Sequence, residues 1–229
     1  MKLTKRWFAA AAVLLALSPA AAAPKAAPVD WTRTVVATPE GGFRMGNPAA
    51  AVKLVEYGSL TCPACRHFAE TSSAPLIAKV KSGKVSFEFR NFVLNSVDVA
   101  ASLVGRCAGA TRFFPLVDKL YATQPEWIGR ITGLSAAEKE RLTALPTDQQ
   151  LVAIASAGGI QKLALAYGLP EARANQCLSN QAEFERLGKL REAAAALGVQ
   201  GTPTFLVNGS RVDARDWPSL EPIIKRAGG

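Results

Sequence analysis

The chain has 229 residues, four cysteines, a single histidine and a formal net charge of +9. Its length is sufficient for one domain, or for one domain that carries an insertion. Three of the basic residues, Lys79, Lys81 and Lys84, cluster where a helix is predicted to end. Cations are favourable at a helix C-terminus, so this cluster does not indicate a nucleic-acid interface.

The N-terminus has the composition of a secretory signal peptide. Three basic residues precede a short apolar run, Trp7 to Leu17, and small residues follow at 20–23. The apolar run is too short to span a bilayer as a permanent helix, and no later stretch reaches the necessary length. We predict a signal peptide over residues 1–22, cleaved after Ala22 because a cut one residue later would leave proline at the new N-terminus.

This signal peptide predicts export to the periplasm. Its removal lowers the formal net charge from +9 to +6, since it carries three basic residues and no acidic ones. In an oxidising compartment, thiols pair as disulfides unless something reduces them. A closely spaced pair of cysteines in such a protein is therefore a redox candidate first. An exported protein rarely meets nucleic acid, so we expect no nucleic-acid partner.

The first half of the chain alternates predicted strands with one long helix. Residues 23–33 are predicted to be a flexible N-terminal segment, and the stretch from Trp31 to Ala37 suits a short first strand. A second strand is predicted in the apolar run from Ala51 to Ser59. A helix then begins near Cys62, with Pro63 in its first turn. Its buried face is predicted from helical spacing and comprises Phe68, Ser72, Leu76 and Val80.

A further strand is predicted from Val85 to Phe92, where apolar and polar residues alternate. From about Val97 to Pro170 the sequence contains no convincing strand and is predicted to form short helices broken by glycine and proline. A longer helix is predicted from Asn180 to Leu197. Two strands follow, joined at the hairpin signal Asn208-Gly209, and a closing helix is capped by Asp216.

This order of elements predicts an α/β fold with an all-helical insertion. The strand-bearing parts comprise residues 34–96 and residues 179–229. The insertion comprises residues 97–178. Because the strands lie on both sides of the helical block, we predict one domain with an insertion.

Two of the cysteines, Cys62 and Cys65, are separated only by Pro63 and Ala64. A structural zinc site needs four ligands, but the sequence has no second pair of this spacing. Covalent haem attachment needs a histidine directly after the second cysteine, where the chain has Arg66. A structural disulfide in so small a ring would constrain the unfolded chain little. Redox cycling is therefore favoured, with a structural disulfide and a soft-metal site for copper(I) as alternatives.

The predicted position of Cys62 supports redox chemistry. Because this residue opens a helix, its sulfur lies beside unpaired backbone N–H groups and the positive end of the helix dipole. Both favour the thiolate, which lowers the pKa of Cys62 and makes it the attacking group. Cys65 lies one turn further into the helix and is more buried. It is placed to attack the Cys62 sulfur and release a bound partner.

Four features together resemble the DsbA-like branch of the thioredoxin superfamily. They are the acid-bearing strand KLVEYGS, the TCPAC motif that opens a helix, the helical block, and the later segment GVQGTPTFLVNG. The resemblance covers nearly all of the chain that follows the signal peptide. It implies a thioredoxin fold with an inserted all-helical subdomain. It also implies an exported oxidoreductase that introduces disulfide bonds into newly exported proteins by exchange through Cys62 and Cys65.

The partners implied by the resemblance are unfolded exported polypeptides and a quinone-linked membrane oxidase of the DsbB kind. We expect a monomer with no bound cofactor and no metal. The pair Pro63-Ala64 departs from the Pro-His of many family oxidants, so a milder oxidant is expected. A disulfide isomerase or reductase of the same fold therefore stays open as an alternative, and so does copper binding.

By the same resemblance, Pro203 is a cis-proline beside the active-site disulfide, and Thr202 precedes it. A cis X–Pro bond is uncommon, and an ordinary trans proline before a strand is the alternative. The cis bond leaves the backbone of Thr202 free to pair with the extended chain of a client. Substrate binding is accordingly assigned to Thr202, Pro203, Pro63 and Ala64.

The resemblance assigns roles to three more residues. Glu56 matches the buried acid that these proteins keep beneath the active site, where a raised pKa suits a proton relay to Cys65. The alternative is a strand-end glutamate that reaches solvent. Cys107 and Cys177 match the second, non-catalytic disulfide that several such proteins carry in the helical subdomain. Two buried free thiols are the alternative.

Overall fold

The structure is a computed structural model that describes residues 29–229 of the chain. The predicted signal peptide over residues 1–22, its cleavage after Ala22 and the part of the flexible segment that precedes residue 29 lie outside the described residues. Within residues 29–229, no helix is both long enough and apolar enough to span a membrane.

A mixed sheet of six strands forms the centre of the described part of the chain, in the order β1-β2-β4-β3-β5-β6. The strands are β1 (Val35–Ala37), β2 (Phe43–Gly46), β3 (Val52–Gly58), β4 (Val85–Asn91), β5 (Thr204–Val207) and β6 (Ser210–Val212). Strand β3 pairs parallel with β4 and antiparallel with β5. It therefore lies inside the sheet, as its apolar run predicts.

Both faces of β3 are covered. Leu54 contributes to the main hydrophobic core on one face. Val55 and Tyr57 point to the other face and join a smaller core with Ala194 and Leu206. Because side chains alternate along a strand, Glu56 lies on the same face as Leu54. The sequence thus places a carboxyl group on the side of the sheet that carries the main core.

Helix α1 (Pro63–Lys81) follows β3 after a short turn, with Cys62 as its N-cap residue and Pro63 at its first position. Proline suits this position because the missing N–H would have no partner inside the helix. The predicted apolar face is confirmed, since its members are buried in the helix. They are Phe68, Ser72, Leu76 and Val80. Burial of this face against the sheet fixes the position of Cys62 above the end of β3.

Residues 96–178 contain helices and no strand, as predicted. The helices are α2 (Ser96–Cys107), α3 (Ala110–Ala122), α4 (Gln124–Thr132), α5 (Ala136–Thr143), α6 (Thr147–Gly158), α7 (Ile160–Leu165) and α8 (Glu171–Leu178). The predicted limits of the insertion, 97 and 178, fall at the start of α2 and the end of α8. The division into domains itself stays a prediction.

Aromatic side chains join the helical block to the sheet. The ring of Phe113 in α3 stacks on that of Phe43 with centroids 4.0 Å apart, and lies 5.8 Å from that of Phe89. Such pairs contribute about 0.5–1.5 kcal/mol each beyond the area that they bury. The block and the sheet share one continuous core, so α3 is held firmly over the sheet.

The chain returns to the sheet through α9 (Gln181–Ala196) and ends in α10 (Trp217–Arg226). The predicted cap of α10 is confirmed, because the Asp216 carboxylate accepts a hydrogen bond from the backbone N–H of Ser219. The predicted hairpin is also present. Asn208 and Gly209 have φ angles of 51° and 84°, which is the left-handed region that a tight two-residue hairpin turn requires.

The N-terminal part of the described chain differs from the prediction in two ways. The first strand is confined to Val35–Ala37, because Trp31–Arg33 forms a short 3-10 helix capped by the Asp30 side chain. The last residues of the segment predicted to be flexible are therefore part of a regular element. Strand β2 was not predicted, since only four residues lie between its flanking turns and its pairing with β4 is a tertiary contact.

Candidate active site

Cys62 lies where strand β3 has ended and helix α1 begins. Its backbone is extended, with φ −81° and ψ 121°, and its N–H donates to the Ser59 carbonyl at 3.2 Å. The side chain is 8% exposed and is not part of a disulfide in this structure.

The pKa of Cys62 is lowered to about 5. The largest cause is a hydrogen bond from the Cys65 thiol, and burial of Cys62 opposes it. Further hydrogen bonds from the Thr202 hydroxyl and from the backbone N–H groups of Cys65 and Ala64 also favour the thiolate. These N–H groups belong to the first turn of the helix, so the helix N-terminus contributes as predicted. Cys62 is a thiolate at neutral pH.

Cys65 has the opposite environment. Its side chain is fully buried, and burial raises its pKa well above the ordinary value. Its hydrogen bond to Cys62 and the negative charges of Glu56 and Cys62 raise the pKa further. The pair therefore consists of one reactive thiolate near the surface and one protonated thiol beneath it.

The loop before β5 lies against Cys62. The Thr202–Pro203 peptide bond is cis, as the resemblance implies, and the Cys62 sulfur lies 3.3 Å from the Thr202 carbonyl oxygen. The Thr202 hydroxyl has no other partner within residues 29–229, so it is free to donate to the Cys62 thiolate. Pro203 is buried, whereas Pro63 and Ala64 are exposed beside the reactive sulfur.

Glu56 lies in the middle of β3, opposite Phe89 of β4 and Phe205 of β5. Its side chain is only 3% exposed, so the alternative of a glutamate that reaches solvent does not hold. The Oε1 atom has no hydrogen-bond partner among the described residues. Burial raises the pKa of Glu56 to about 8, and the negative charges of Cys62 and Asp118 add to this effect.

Three side chains of the helical block hold the turn that leads to Cys62. The Asp98 carboxylate accepts from the N–H of Leu60 at 2.9 Å, and the Tyr121 hydroxyl donates to the Ser59 carbonyl at 3.1 Å. The Gln124 amide donates to the carbonyls of Leu60 and Cys62 at 2.8 and 3.1 Å. The hydrogen-bonding groups of this turn's backbone thus find partners in residues that follow the turn by about 40 to 60 positions in the sequence.

The sequence analysis did not identify Asp98, Tyr121 or Gln124. Each is a polar residue in a helix with no motif around it, and its partner is a backbone atom that is distant in sequence. A weak signal exists for Asp98, which lies in the first turn of α2, three residues after the N-cap Asn95. For the other two, only the tertiary fold shows the contact.

Cys107 and Cys177 form a disulfide that joins the end of α2 to α8, with their Cα atoms 6.0 Å apart. This is the pairing that the resemblance implies, rather than two free thiols. The bond lies within the helical block and involves neither Cys62 nor Cys65. Within the described ranges, no group of three or more histidine, cysteine, aspartate or glutamate side chains is arranged to hold a metal ion.

Comparison with known proteins gives the same fold. The sequence model of a family described as thioredoxin matches residues 38–226. The crystal structure of a protein-disulfide isomerase from Novosphingobium aromaticivorans is similar with a TM-score of 0.74 and 34% identity, over 81% of this chain and 97% of that chain. These matches confirm the predicted thioredoxin fold with a helical insertion.

Two more distant structures share the fold. The α-DsbA1 of Wolbachia pipientis has a TM-score of 0.65 and 18% identity, over 81% of this chain and 90% of its own. Oxidised BdbD from Bacillus subtilis has a TM-score of 0.58 and 20% identity, over 80% of this chain and 91% of its own. At these identities the likeness concerns the fold alone.

Curated relatives in sequence are found in Rickettsia species, under provisional names that describe protein-disulfide oxidoreductases. The relative from Rickettsia bellii is 28% identical over 82% of this chain, and the one from Rickettsia typhi is 27% identical over 80%. The chain spans 65% and 60% of the lengths of these two relatives.

Proposed function

Since the chain belongs to the thioredoxin family, we propose that it is an exported thiol–disulfide oxidoreductase. In this proposal it passes a Cys62–Cys65 disulfide to newly exported, unfolded polypeptides in the periplasm. The main support for the proposal is that one of two neighbouring cysteines is a thiolate at neutral pH and the other is a protonated thiol. The pKa of Cys62 is lowered to about 5 and that of Cys65 is raised.

The exchange proceeds through a mixed disulfide. A client thiolate attacks the Cys62 sulfur, the Cys62–Cys65 bond breaks, and Cys65 leaves with the electron pair. Glu56 is protonated at neutral pH because its pKa is about 8, so it supplies a proton to the departing Cys65 sulfur. A second client thiolate then attacks the client sulfur of the mixed disulfide, and Cys62 leaves as a stable thiolate. The client loses two electrons and the cysteine pair gains them.

The stability of the Cys62 thiolate makes the disulfide oxidising. Each pKa unit by which the thiolate is favoured corresponds to about 1.4 kcal/mol, or about 30 mV in a two-electron couple. The absence of a histidine at position 64 leaves one source of stabilisation unused. We therefore infer an oxidant that is milder than the Pro-His members of the family.

Client binding is assigned to the surface around Cys62. Pro63 and Ala64 are exposed beside the sulfur, and the cis peptide at Pro203 places the backbone of Thr202 next to it. An extended client segment at this position would pair with the Thr202 backbone as a short added strand. The disulfide is restored, in this proposal, by a quinone-linked membrane oxidase of the DsbB kind, and the protein acts as a monomer without a bound cofactor.

A disulfide isomerase of the same fold is the second candidate. It is favoured by the 34% identity to a protein from Novosphingobium aromaticivorans that is described as a protein-disulfide isomerase. An isomerase and an oxidase use the same two sulfurs, and they differ in which redox state is the working one. The equilibrium between the pair and glutathione separates them.

The test combines this equilibrium with two refolding assays on the protein without residues 1–22. We expect a potential clearly above the roughly −270 mV of reducing thioredoxins, and oxidative refolding of a reduced model substrate that is lost in Cys62→Ser. A potential near the reducing value, together with repair of a scrambled disulfide substrate, would favour the isomerase. Stoichiometric copper(I) binding that disappears in Cys65→Ser would favour a metal carrier.

A further inference from the structure

A cavity of about 190 Å³ lies between helix α1, helix α3 and the sheet. Most of its wall is apolar and includes Phe68, Phe89 and Val117. Glu56 of strand β3 also lines the cavity, and its side chain is almost fully buried. Ser73 from α1 and Asp118 from α3 also line the cavity, and both residues have solvent-exposed surface. The carboxyl group of Asp118 is partly shielded from solvent, which raises its pKa to about 6. The cavity thus connects a buried acid with the surface.

The buried acid needs such a connection. Glu56 Oε1 accepts no hydrogen bond from residues 29–229, although an unpaired buried polar atom is costly. A cavity of this size has room for several water molecules, since one needs only roughly 10–15 Å³ of comparable volume. The carboxyl groups of Glu56 and Asp118, which both line the cavity, give such water polar partners in an otherwise largely apolar space.

The charged groups around Glu56 come from two elements. The N-cap and the first turn of α1 contribute the thiols of Cys62 and Cys65, and helix α3 contributes Asp118 and the hydroxyl of Tyr121. No lysine, arginine or histidine is among the described residues that line the cavity. A proton that moves between Glu56 and solvent through this space therefore has Asp118 as the ionisable group at the surface end.

We propose that Asp118 and water in this cavity form the route by which protons pass between Glu56 and solvent. The inference rests on the proposed function, because it describes the proton that accompanies each exchange at Cys62 and Cys65. Asp118 acts through Glu56 and touches neither sulfur in the exchange, so it is a positioning and relay residue. It belongs to the helical insertion, which gives that part of the chain a share in the chemistry.

The route is needed when the disulfide forms. Once Cys62 is bonded to a partner's sulfur, it no longer carries a negative charge, and one cause of the raised pKa of Glu56 is lost. Glu56 then releases its proton through the cavity to Asp118 and solvent. The Glu56 carboxylate takes the proton of Cys65, and the Cys65 sulfur attacks Cys62. The new Cys62–Cys65 bond replaces the bond to the partner, whose sulfur leaves as a thiolate.

The test follows the two steps separately with an aromatic disulfide whose thiolate product is coloured. The reduced protein without residues 1–22 releases one coloured thiolate when Cys62 attacks, and a second when Cys65 resolves the mixed disulfide. Asp118→Asn should leave the first rate unchanged. Above pH 7, where the rate of the second step no longer changes with pH, the variant should be about tenfold slower. Loss of a direct general base would slow the step by roughly a hundredfold or more. Glu140→Gln removes an exposed acid from the same helical block and should change neither rate.

Three further variants separate a relay from a purely electrostatic effect. Asp118→Glu should restore the second rate. Ser73→Leu should lower it while both carboxyl groups remain, because the larger side chain narrows the mouth of the cavity. In a Glu56→Gln background, Asp118→Asn should have no additional effect. If Asp118→Asn only shifts the pH profile of the second rate to lower pH and leaves its maximum unchanged, Asp118 acts only through its charge. That result would overturn the proposed relay.

Failure of the proposed function is a different result. If the second thiolate is never released, or is released equally in Cys65→Ser, then Cys62 and Cys65 do not act as an exchanging pair. If both are released in two phases and the second phase is the same in Asp118→Asn as in the unchanged protein, only the relay is wrong.

Discussion

At the scale of single residues, the two sulfurs differ because one turn of helix separates a surface position from a core position. Cys62 receives hydrogen bonds from its neighbours, whereas Cys65 lies in the core beside Glu56 and Cys62, both of which carry negative charge when ionised. Each thiol reinforces the state of the other, since the Cys65 thiol donates the hydrogen bond that stabilises the Cys62 thiolate. The chemistry of the pair is therefore a property of both residues together.

The first prediction concerns the pH dependence of the reduction potential. Below the Cys62 pKa of about 5, reduction of the disulfide takes up two protons with two electrons, so the potential falls by about 59 mV per pH unit. Above it, only Cys65 takes up a proton and the slope is about 30 mV per pH unit. The equilibrium with glutathione between pH 3.5 and 7 measures this change. One constant slope over that range would contradict the low pKa.

The second prediction concerns Glu56. Its pKa is raised from 4.5 to about 8 in the folded protein. The folded state therefore binds this proton more tightly than the unfolded state, and the free energy of unfolding decreases as the pH rises from about 4.5 towards 8. Glu56→Gln removes this loss. We expect it to stabilise the reduced protein by about 2 kcal/mol at pH 7, somewhat less than the roughly 3 kcal/mol that the pKa implies, because the glutamine amide also lacks partners.

Urea unfolding of the two proteins at pH 4.5 and at pH 7 checks this expectation. The stabilisation should nearly vanish at pH 4.5, where about half of the unfolded glutamate is already protonated. An equal change in the free energy of unfolding at both pH values would show that Glu56 is ionised in the fold, and the proton transfer to Cys65 would lose its donor.

Cys62 and Cys65 could be proposed as site residues from a local pattern, and Glu56 from the family resemblance together with its place in an apolar strand. The thiols open a helix at a fixed spacing, and the acid interrupts an apolar strand six residues earlier. Asp118 and Gln124 belong to no such pattern. Their positions relative to Glu56 and Cys62 depend on how α3 and α4 pack on the sheet, which is decided by tertiary contacts.

At the scale of elements, the helical block forms one wall of the active site. Gln124, the first residue of α4, donates to two carbonyls in the turn before α1. One of these carbonyls, that of Leu60, has no other hydrogen-bond donor among the described residues. The orientation of the Cys62 backbone thus depends on the position of a helix that follows it by about 60 residues.

The third prediction follows from this contact. Gln124→Leu should destabilise the protein by about 1–3 kcal/mol because a buried carbonyl loses its partner. It should also raise the pKa of Cys62, since the turn that holds the thiolate against its donors becomes looser. Absorbance of the thiolate as a function of pH measures the pKa, and urea unfolding measures the stability.

Gln161 supplies a matched control. Like Gln124 it is 3% exposed, and its amide donates to the Val152 carbonyl and the Asn175 side chain within the helical block. Gln161→Leu should lower stability by a similar amount and leave the Cys62 pKa unchanged. If the two variants behave alike in both measurements, Gln124 has a structural role only.

The elements themselves were predicted well where periodicity extends over many residues. Strand β3 and helix α9 agree with their predicted bounds within one residue at each end, and helix α1 begins where it was predicted to begin. Strand β2 was missed because Phe43–Gly46 is short, and its register is set by Phe89 and other residues of β4. The 3-10 helix at Trp31–Arg33 was missed because a β-branched and aromatic stretch also suits a strand.

At the scale of the whole molecule, the helical block and the sheet share one core, and a single disulfide closes the block. Cys107 ends α2 and Cys177 lies in α8, so the bond joins the beginning of the block to its end across 70 residues. A cross-link of this span reduces the freedom of the unfolded chain most strongly in the region that must fold against the sheet.

The fourth prediction is that replacing both Cys107 and Cys177 by serine lowers the free energy of unfolding by about 4 kcal/mol, as expected for closure of a loop of this length. This loss of stability should lower the fraction of folded protein at high temperature. Because α3 carries Asp118 and α4 carries Gln124, unfolding of the block also removes these two residues from the site. In the protein that remains folded, the Cys62 pKa should not change, since neither serine contacts the thiols.

Urea unfolding of the double variant, beside either single serine variant, provides the measurement. All three should lose the same stability, because one missing sulfur already opens the loop. Thiol counting in denaturant should find two alkylated cysteines in the unchanged protein with a reduced active site, and four only after strong reduction. If four cysteines are alkylated without strong reduction, the Cys107–Cys177 disulfide is not formed. The helical block would then be stabilised by its hydrophobic core alone.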